Sequence, residues 1–298
     1  MSRLRSAIKN VAAAFARSAA GKRLLHYLLS AHVEGGTEAI FNDLSRRSGF
    51  DHVTNWPSHL DGFEDLAFLF SSSHLNVGTA ILAFDEAAYL YKLAKGLKNA
   101  TIIEIGRYKG GSTFLLAAAI DSSSHLYSYD WYTAPTQPLR KSTGMCRNPA
   151  HGSTDLDQAL VQALRRFGID SRVKLEVANS QLTEPPSNDC DLVFIDGDHS
   201  QEGVTADFFN WAPHIPVGGN LLFHDAIARR FAPCAIEVTR LVETIRQDYS
   251  DWFDGPNIVG SLAHFLVKKR FVSPHASAVR HYHPRRTSRT SSPRSANA

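Results

Sequence analysis

The chain has 298 residues, of which 43% are hydrophobic and 20% are charged, with a formal net charge of +3. This length and composition are typical of a chain that buries one full α/β core with additions at both ends. Transmembrane and disulfide-bonded classes are disfavoured, because no apolar run reaches the roughly eighteen residues that span a bilayer and the cysteines are only three, Cys146, Cys190 and Cys234. We expect reduced thiols and a cytoplasmic protein.

Charge is unevenly distributed along the chain. Six basic residues and no acid precede Glu34, and five arginines and no acid follow from Phe271 onward. Without these eleven basic residues the middle of the chain has 21 basic and 29 acidic residues, a net charge of −8. An acidic body disfavours a nucleic-acid substrate, and we expect no nucleic-acid partner.

The first 62 residues are predicted to contain a basic amphipathic helix followed by a covering segment. Within residues 4–29, Ile8, Val11, Phe15 and Ala19 recur at helical spacing with basic residues between them. Three roles stay open: packing on the body or on a second subunit of a homo-oligomer, peripheral contact with an anionic membrane, or an organellar transit peptide.

Residues 36–70 contain short apolar clusters and are expected to cover the mouth of the site. The next helix is predicted over residues 80–97, where Asp85 and Glu86 share one turn. We expect both acids to be solvated.

The most informative motif is a strand that runs into a glycine turn and then a helix. Ile102 to Ile105 form the strand, Gly106 begins the turn, and residues 114–120 have the composition of a buried helix that Ser112 or Thr113 can cap. Backbone N–H groups at such a helix start suit a nucleotide-like cofactor. The spacing GxxxGG differs from the GxGxxG of dinucleotide binders, and the glycines alone fit a purely structural turn equally well.

Strands and helices then alternate. A strand over residues 125–130 ends at Asp130, where nucleotide-binding α/β folds place the carboxylate that binds the ribose hydroxyls. A long loop over residues 132–153 is the candidate substrate lid. A helix over residues 156–167 and a strand over residues 173–177 follow.

Two further buried strands, residues 191–195 and 220–223, also end in polar side chains, namely Asp196, Asp198, His199, His224 and Asp225. Open α/β sheets bind ligands at the carboxyl ends of their strands, so these endings predict one shared site. Residues 257–268 are predicted to be edge strands. Residues 273–298 are rich in Pro, Ser, Arg and His and are predicted to form a disordered basic tail.

Together the segments EIGRYKGGS, YSYD, DLVFIDGDHS and GGNLLFHDA resemble class I S-adenosylmethionine-dependent methyltransferases. The branch most similar contains macrolide-sugar and rhamnosyl O-methyltransferases, with catechol O-methyltransferases more distant. The resemblance implies a Rossmann-like sheet with helices on both faces and a C-terminal antiparallel hairpin, in a methyltransferase domain over residues 63–272.

The resemblance also assigns residues to the methyl donor. It implies a methionine-end turn around Glu104, Gly106 and Gly110, with Arg107 and Ser112 beside it. Asp130 would hold the ribose. The adenine would lie beside Asn179 and Ser180, with Trp131 covering the adenosine, although Trp131 fits a core aromatic equally well.

At the reacting end, metal-dependent relatives hold a divalent cation with an acid after the fourth strand and two adjacent ligands after the fifth. The matching residues here are Asp196, His224 and Asp225. Magnesium or manganese is expected, and His224 favours manganese, iron or zinc over magnesium. Without a metal, His199 is the alternative, because an imidazole can take the hydroxyl proton directly. The catalytic candidates are therefore Asp196, His199 and His224.

The predicted function is an S-adenosylmethionine-dependent O-methyltransferase acting on a small hydroxylated molecule, such as a sugar or glycosylated natural product. Two alternatives are a metal-independent O- or N-methyltransferase that uses His199 as its base, and a membrane-associated donor-binding protein.

Overall fold

The computed structural model of the protein describes residues 49–53, 55–70, 78–132, 153–227 and 235–272. The predicted N-terminal helix, the C-terminal tail and residues 133–152 of the predicted lid lie outside this part of the chain.

A mostly parallel sheet forms the centre of the molecule. Its strands are joined in the order β3-β2-β1-β4-β5-β7-β6, with β1 to β5 parallel and β7 antiparallel to both of its neighbours. The strands are β1 Thr101–Ile105, β2 His125–Asp130, β3 Val173–Val177, β4 Leu192–Ile195, β5 Asn220–Phe223, β6 Phe253–Val259 and β7 Leu262–Val267. The predicted fold class is confirmed, and residues 262–267 form an inner strand where we predicted an edge.

Five α-helices are described around the sheet. They are α1 Phe84–Gly96, α2 Gly111–Ala119, α3 Thr154–Arg166, α4 Gln201–Trp211 and α5 Ala235–Asp248, with shorter 3-10 helices at Gly49–His52, Phe63–Phe70, Asp170–Arg172 and Ala212–His214. Helix α1 starts four residues later than predicted, because its N-cap residue Ala83 is extended and the Ala80 N–H donates outside the helix, to the carbonyl of Leu69 at 2.9 Å.

Helix α3 illustrates how the local sequence fixes an element. The Ser153 hydroxyl accepts from the Leu156 N–H at 3.3 Å and so caps the first turn. Acids in the first turn and arginines in the last complement the helix dipole. One face is buried, through Leu156, Leu160, Ala163 and Leu164.

The sheet has an apolar core on each face. Helices α1, α2 and α3 cover one face, where Phe114 is fully buried, and α4 and α5 cover the other, where Phe208 and Trp211 are fully buried. Each such side chain stabilises the fold by about 1.5–3 kcal/mol relative to exposure. Helices on both faces leave the carboxyl ends of the parallel strands as the open edge of the sheet.

The segment before α1 is part of the first core. The Trp56 ring lies 5.1 Å from the ring of Phe68 and 5.9 Å from that of Phe167, measured between centroids. The described part of the predicted cover therefore packs on core helices. The expectation of a solvated Glu86 is wrong, since its side chain is buried against the β6–β7 hairpin.

Candidate active site

The glycine turn after β1 is shaped by close backbone packing. Gly106 has φ +87°, and a side chain there would overlap the carbonyl oxygen of Asp196 in the loop after β4. Gly110 has φ +81° and is the N-cap of α2, where a side chain would overlap Leu160. Both positions need glycine because L residues with a side chain rarely adopt this conformation. The turn thus joins the ends of β1 and β4.

Asp130 holds the same turn from the end of β2. Its Oδ2 accepts the N–H groups of Arg107 at 3.1 Å and Tyr108 at 2.9 Å. Within the described part of the chain, no hydrogen bond uses its second oxygen, Oδ1. The carboxylate therefore fixes the turn with one oxygen and leaves the other for the predicted ribose hydroxyls.

Arg107 points into the protein and not into the cleft, which corrects its assignment to the cofactor. Its guanidinium forms a two-pronged ion pair with Asp157 at 2.7 and 2.6 Å and donates to the carbonyls of Ser128 and Glu176. Tyr132 accepts the remaining N–H at 3.4 Å. Burial would lower the pKa of Arg107, but the bond and charge of Asp157 raise it above its ordinary value. Because all five N–H groups have partners, none is free for a ligand.

Glu104 and Ser112 are also turned inward. The fully buried Glu104 carboxylate accepts the hydroxyls of Ser112, Thr113 and Ser128 at 2.5–2.6 Å. Burial raises the pKa of Glu104 although these hydroxyls oppose the shift. The Glu104 and Ser112 side chains are thus engaged with each other, and the predicted hydroxyl cap of α2 is absent because the Ser112 and Thr113 hydroxyls donate to Glu104. Their contribution is to brace the turn.

The loop after β3 is held by helix α4. The Ser180 hydroxyl donates to Asp207 at 2.6 Å, and its carbonyl accepts from Asn210 Nδ2 at 2.8 Å and Trp211 Nε1 at 3.0 Å. The preceding Asn179 accepts the Gln181 N–H through Oδ1. Since Asp130 pairs with Val177 across β2 and β3, Trp131 and Asn179 follow neighbouring strand ends. The Trp131 side chain is half exposed, which argues against a core role.

The predicted reacting end is a cluster of charged groups. His224 is buried between two carboxylates: its Nδ1 lies 3.0 Å from Asp196 Oδ1 and its Nε2 lies 3.2 Å from Glu86 Oε2. Burial would lower the pKa of His224, but Asp196 and Glu86 raise it well above its ordinary value. Burial would raise the pKa of Asp196, but His224 and His199 lower it to about 2. The two carboxylates thus favour the protonated form of His224.

The three residues whose spacing could hold a metal ion include His199 and not His224. Ligand atoms of Asp196, His199 and Asp225 all lie within 4.8 Å of one another. Both ring nitrogens of His224, which the sequence predicts as a metal ligand, instead lie against the carboxylates of Asp196 and Glu86. Asp225 has φ +51°, a strained conformation for a residue with a side chain, of a kind that is concentrated at functional sites.

The Nε2 atom of His199 is buried, and no hydrogen bond to it is made within the described residues. It lies 3.5 Å from an oxygen of Asp196 and 3.5 Å from an oxygen of Asp225. Burial would lower the pKa of His199, but the two carboxylates raise it above its ordinary value. A buried nitrogen equidistant from two carboxylate oxygens is an arrangement that a cation would complete.

Three residues at the site carried no recognisable signal in the sequence. Asp157 and Asp207 lie on helices where acids are usually solvated, and Glu86 lies 138 residues from His224. Only the tertiary fold brings them to the strand ends.

Residues 103–226 match the model of a family described as a methyltransferase domain. The fold, the glycine turn and this match define a class I methyltransferase domain. The chain is an S-adenosylmethionine-dependent methyltransferase, as its motifs predict.

Among curated proteins, the chain is similar to a catechol O-methyltransferase of Niastella koreensis, with 23% identity over 60% of this chain and 74% of that protein. It is also similar to the uncharacterized protein R132 of Acanthamoeba polyphaga mimivirus, with 26% identity over 45% of this chain and 54% of that protein. Among solved structures, the chain is similar in fold to the O-methyltransferase NovP. The match covers 78% of this chain and 99% of that chain, with 12% identity and a TM-score of 0.50. None of the described helices is long and apolar enough to cross a membrane.

Proposed function

We propose that the protein transfers the methyl group of S-adenosylmethionine to a hydroxyl of a small molecule, such as a sugar or a glycosylated natural product, with help from a divalent metal ion. The observation that carries the proposal is the buried Nε2 of His199, which lies 3.5 Å from carboxylate oxygens of both Asp196 and Asp225 and has no hydrogen bond within the described residues. The names of two relatives, a catechol O-methyltransferase and the O-methyltransferase NovP, support oxygen as the acceptor atom.

The donor is assigned to the cleft between the glycine turn and the ends of β2 and β3. Oδ1 of Asp130, which has no hydrogen bond among the described residues, would accept the ribose hydroxyls, and the exposed face of Trp131 would cover the adenosine beside Asn179 and Ser180. Backbone N–H groups and the small residues Gly106 and Gly110 would line the methionine end.

The three residues fit a metal ion in spacing and chemistry. Two atoms bound to one ion at about 2.1 Å lie about 3.0–3.4 Å apart when the angle at the ion is about 90–109°. The distances of 3.5 Å between His199 and each carboxylate are close to this range. Two carboxylates and one imidazole suit manganese, iron or zinc better than magnesium. When bound, the ion would lower the pKa of an acceptor hydroxyl and fix its position.

The protein's own groups support the same chemistry. His224 places a positive charge against Asp196 and keeps its carboxylate ionised. Asp225 and Asp196 lie on either side of His199, so an acceptor hydroxyl there would face two negative charges. These charges oppose loss of the hydroxyl proton, and a bound cation would offset them. The Asp196 carbonyl packs against Gly106, which places this cluster directly beside the glycine turn.

The second candidate mechanism uses His199 as a general base without a metal. Its proximity to Asp196 is the observation in favour, because a carboxylate orients a catalytic imidazole. Its raised pKa weighs against it, because a raised pKa favours the protonated imidazole, which cannot accept a proton, whereas a bound metal ion would displace that proton.

Manganese binding separates the two mechanisms without knowledge of the acceptor. Electron paramagnetic resonance would measure free Mn²⁺ during titration of the purified protein. We expect one site in the wild type, loss of the site in Asp225→Ala and His199→Ala, and an unchanged site in the control Asp198→Ala, whose carboxylate instead accepts the Ser200 N–H. Absence of a site in the wild type would leave the His199 mechanism.

Catechol is the first acceptor to assay, followed by a search of a deletion strain for metabolites that lack one methyl group.

The N-terminal segment carries a separate proposal. It lies outside the described residues, and its basic amphipathic pattern supports contact either with a second copy of the chain or with an anionic membrane. Flotation with anionic vesicles and analytical ultracentrifugation, each with and without residues 1–33, distinguish the two. Membrane binding that needs these residues, in a protein without methyl transfer, would favour a donor-binding protein at the membrane.

A further inference from the structure

The strongest feature outside the charged cluster is the carboxyl group of Asp207 in α4. Asp207 is 1% exposed, and its Oδ1 accepts the Ser180 hydroxyl at 2.6 Å. Its Oδ2 is buried and has no hydrogen-bond partner in the part of the chain that the structure describes. An unsatisfied buried oxygen costs about 1–3 kcal/mol, so its retention calls for an explanation.

The two oxygens of Asp207 point at two different loops. Ser180 belongs to the loop after β3, whereas Oδ2 lies under the loop after β4, where a methyl group placed on Gly197 would be 3.7 Å away. The same helix holds the Ser180 carbonyl through Asn210 and Trp211. One face of α4 therefore supports both loops from beneath.

The loop after β3 flanks the adenosine in the donor site proposed above, on which the following inference rests, and the loop after β4 packs against the glycine turn of the same site. We propose that Asp207 is a positioning residue for the adenosine half of the donor, setting the loops after β3 and β4 in their binding arrangement from beneath the pocket. It touches the donor nowhere and acts through Ser180 and Gly197.

Ionisation of Asp207 gives this role a measurable signature. Burial and the neighbouring Asp198 raise the pKa of Asp207 to about 7, while Ser180 lowers it. Asp198, in the loop after β4, is the charged group that acts on it among the described residues; Ser180, from the loop after β3, does not titrate. Below pH 7 the carboxyl is neutral and fits its dry position. Above pH 7 the charge requires water at Oδ2, which the packed loops exclude, so the loops must move.

The probe is 5′-methylthioadenosine, which carries the adenosine without the amino acid and its titratable groups. Calorimetry would measure its dissociation constant at pH 6 and pH 8. If only the neutral form of Asp207 supports binding, a pKa of about 7 predicts affinity about tenfold weaker at pH 8 than at pH 6. Asp207→Asn keeps the shape and an acceptor for Ser180 but cannot ionise, so its affinity should change less than about twofold over this range.

Asn210→Ala is the matched control. It removes two hydrogen bonds to the carbonyls of Ser180 and Thr183 in the same loop and contains no titratable group. We expect weaker binding at both pH values with the tenfold pH dependence retained. If the role of Asp207 is purely structural, Asp207→Asn should also bind more weakly at both pH values and keep the tenfold pH dependence. That result would overturn the inference.

Ser180→Ala covers the case in which Asp207→Asn does not fold. Loss of the hydroxyl removes the bond that stabilises the ionised carboxyl, so the midpoint of the pH profile should move to higher pH. A Ser180→Ala profile that superimposes on the wild type would refute coupling through Ser180.

Wild-type protein that binds neither methylthioadenosine nor S-adenosylmethionine at pH 6 would refute the donor site itself, whereas binding without pH dependence would refute only the role of Asp207.

Discussion

Glu86 Oε2 lies 3.2 Å from Nε2 of His224, across 138 residues of sequence, and this bond joins helix α1 to the candidate active site. The other oxygen of Glu86 accepts the backbone N–H and the hydroxyl of Ser261 in the β6–β7 hairpin. One buried carboxylate therefore connects three parts of the chain: the start of α1, the hairpin and the residue after β5. The charge of His224 depends on this arrangement, and with it the ionisation of Asp196.

Removal of the Glu86 carboxylate should destabilise the protein strongly. Glu86→Ala leaves the buried His224 with one carboxylate partner fewer, and the loss of one member of a buried pair costs about 3–5 kcal/mol. Ser261→Ala is the control, since it removes only a hydroxyl bond, worth about 1.5–3 kcal/mol to a charged partner. Urea denaturation at pH 7 measures both. Equal effects of the two variants would mean that the contact with His224 contributes little.

Glu86 also predicts how stability depends on pH. Burial would raise the pKa of Glu86, but bonds from His224, Ser261 and Ala83 lower it from 4.5 to about 2. A lowered carboxyl pKa contributes stability that is present above about pH 4.5 and is lost as the pH falls toward 2, on the order of 3 kcal/mol for this shift. In Glu86→Gln this part of the acid dependence should disappear. Denaturation series at pH 7, 5 and 3 for both proteins would show it, and parallel losses in the two would contradict the assignment.

Gly106 should be intolerant of any side chain. Gly106→Ala introduces both an unfavourable φ of +87° and an overlap with the Asp196 carbonyl, so we expect a loss of several kcal/mol in the free energy of unfolding together with loss of donor binding. Gly168→Ala is the matched control, because φ is +65° and no atom lies within 4 Å of an added methyl group. That variant should lose only the cost of the conformation, about 1–2 kcal/mol. Similar losses in the two variants would mean that the contact with Asp196 can relax.

The sequence predicts the sheet well because each parallel strand is short, apolar and followed by a polar residue. Strands β1 and β4 are buried on both faces, so their composition alone identifies them. The identity of the turn residues is likewise local, since Gly106 and Gly110 adopt conformations that favour glycine.

The direction of the side chains around the site could not be predicted in the same way. Arg107 follows a glycine in a ligand-binding motif, yet it points inward because Asp157, fifty residues later, lies where its guanidinium can be paired. The surroundings of His224 and His199 are set in a similar way. Glu86 engages the far side of His224, and nothing in the sequence near either residue indicates that contact.

The ion pair of Arg107 with Asp157 should be a structural element of the turn and not a direct contact of the donor. Arg107→Ala removes the cationic partner of Asp157, which keeps only the Tyr132 hydroxyl, and removes a donor from two carbonyls, so we expect a loss of about 3–5 kcal/mol in stability. The double variant Arg107→Ala/Asp157→Ala should recover part of this loss, since no unpaired buried charge remains. Chemical denaturation of the four proteins in the cycle measures the coupling. Full stability of Arg107→Ala with abolished donor binding would return Arg107 to the donor site.

Asp130 holds the glycine turn and is proposed to bind the ribose, and substitution can separate the two roles. Asp130→Asn retains an oxygen that can accept the turn N–H groups but loses the charge toward the ribose, whereas Asp130→Ala loses both. For Asp130→Asn we expect a folded protein whose donor affinity falls by about 1.5–3 kcal/mol per charge-assisted hydrogen bond lost. Asp130→Ala should additionally lower the melting temperature. Calorimetry of donor binding and thermal unfolding test this, and unchanged affinity in Asp130→Asn would remove the carboxylate from the ribose site.

The metal requirement of methyl transfer distinguishes the roles of His199 most sharply. If Asp196, His199 and Asp225 hold an ion, exhaustive chelation should stop turnover of an accepted hydroxylated substrate and leave S-adenosylmethionine binding intact, because the donor contacts lie at the glycine turn and at Asp130. Single additions of magnesium, manganese and zinc would then test the ligand set, and one imidazole with two carboxylates predicts better recovery with manganese than with magnesium. If His199 is instead the base, the chelated enzyme should remain fully active, and His199→Ala should lower turnover by roughly two to four orders of magnitude. His224→Ala should then be compared with His199→Ala: loss of metal in His199→Ala alone would assign the ligand role to His199, whereas loss of metal only in His224→Ala would restore the ligand set that the sequence predicts.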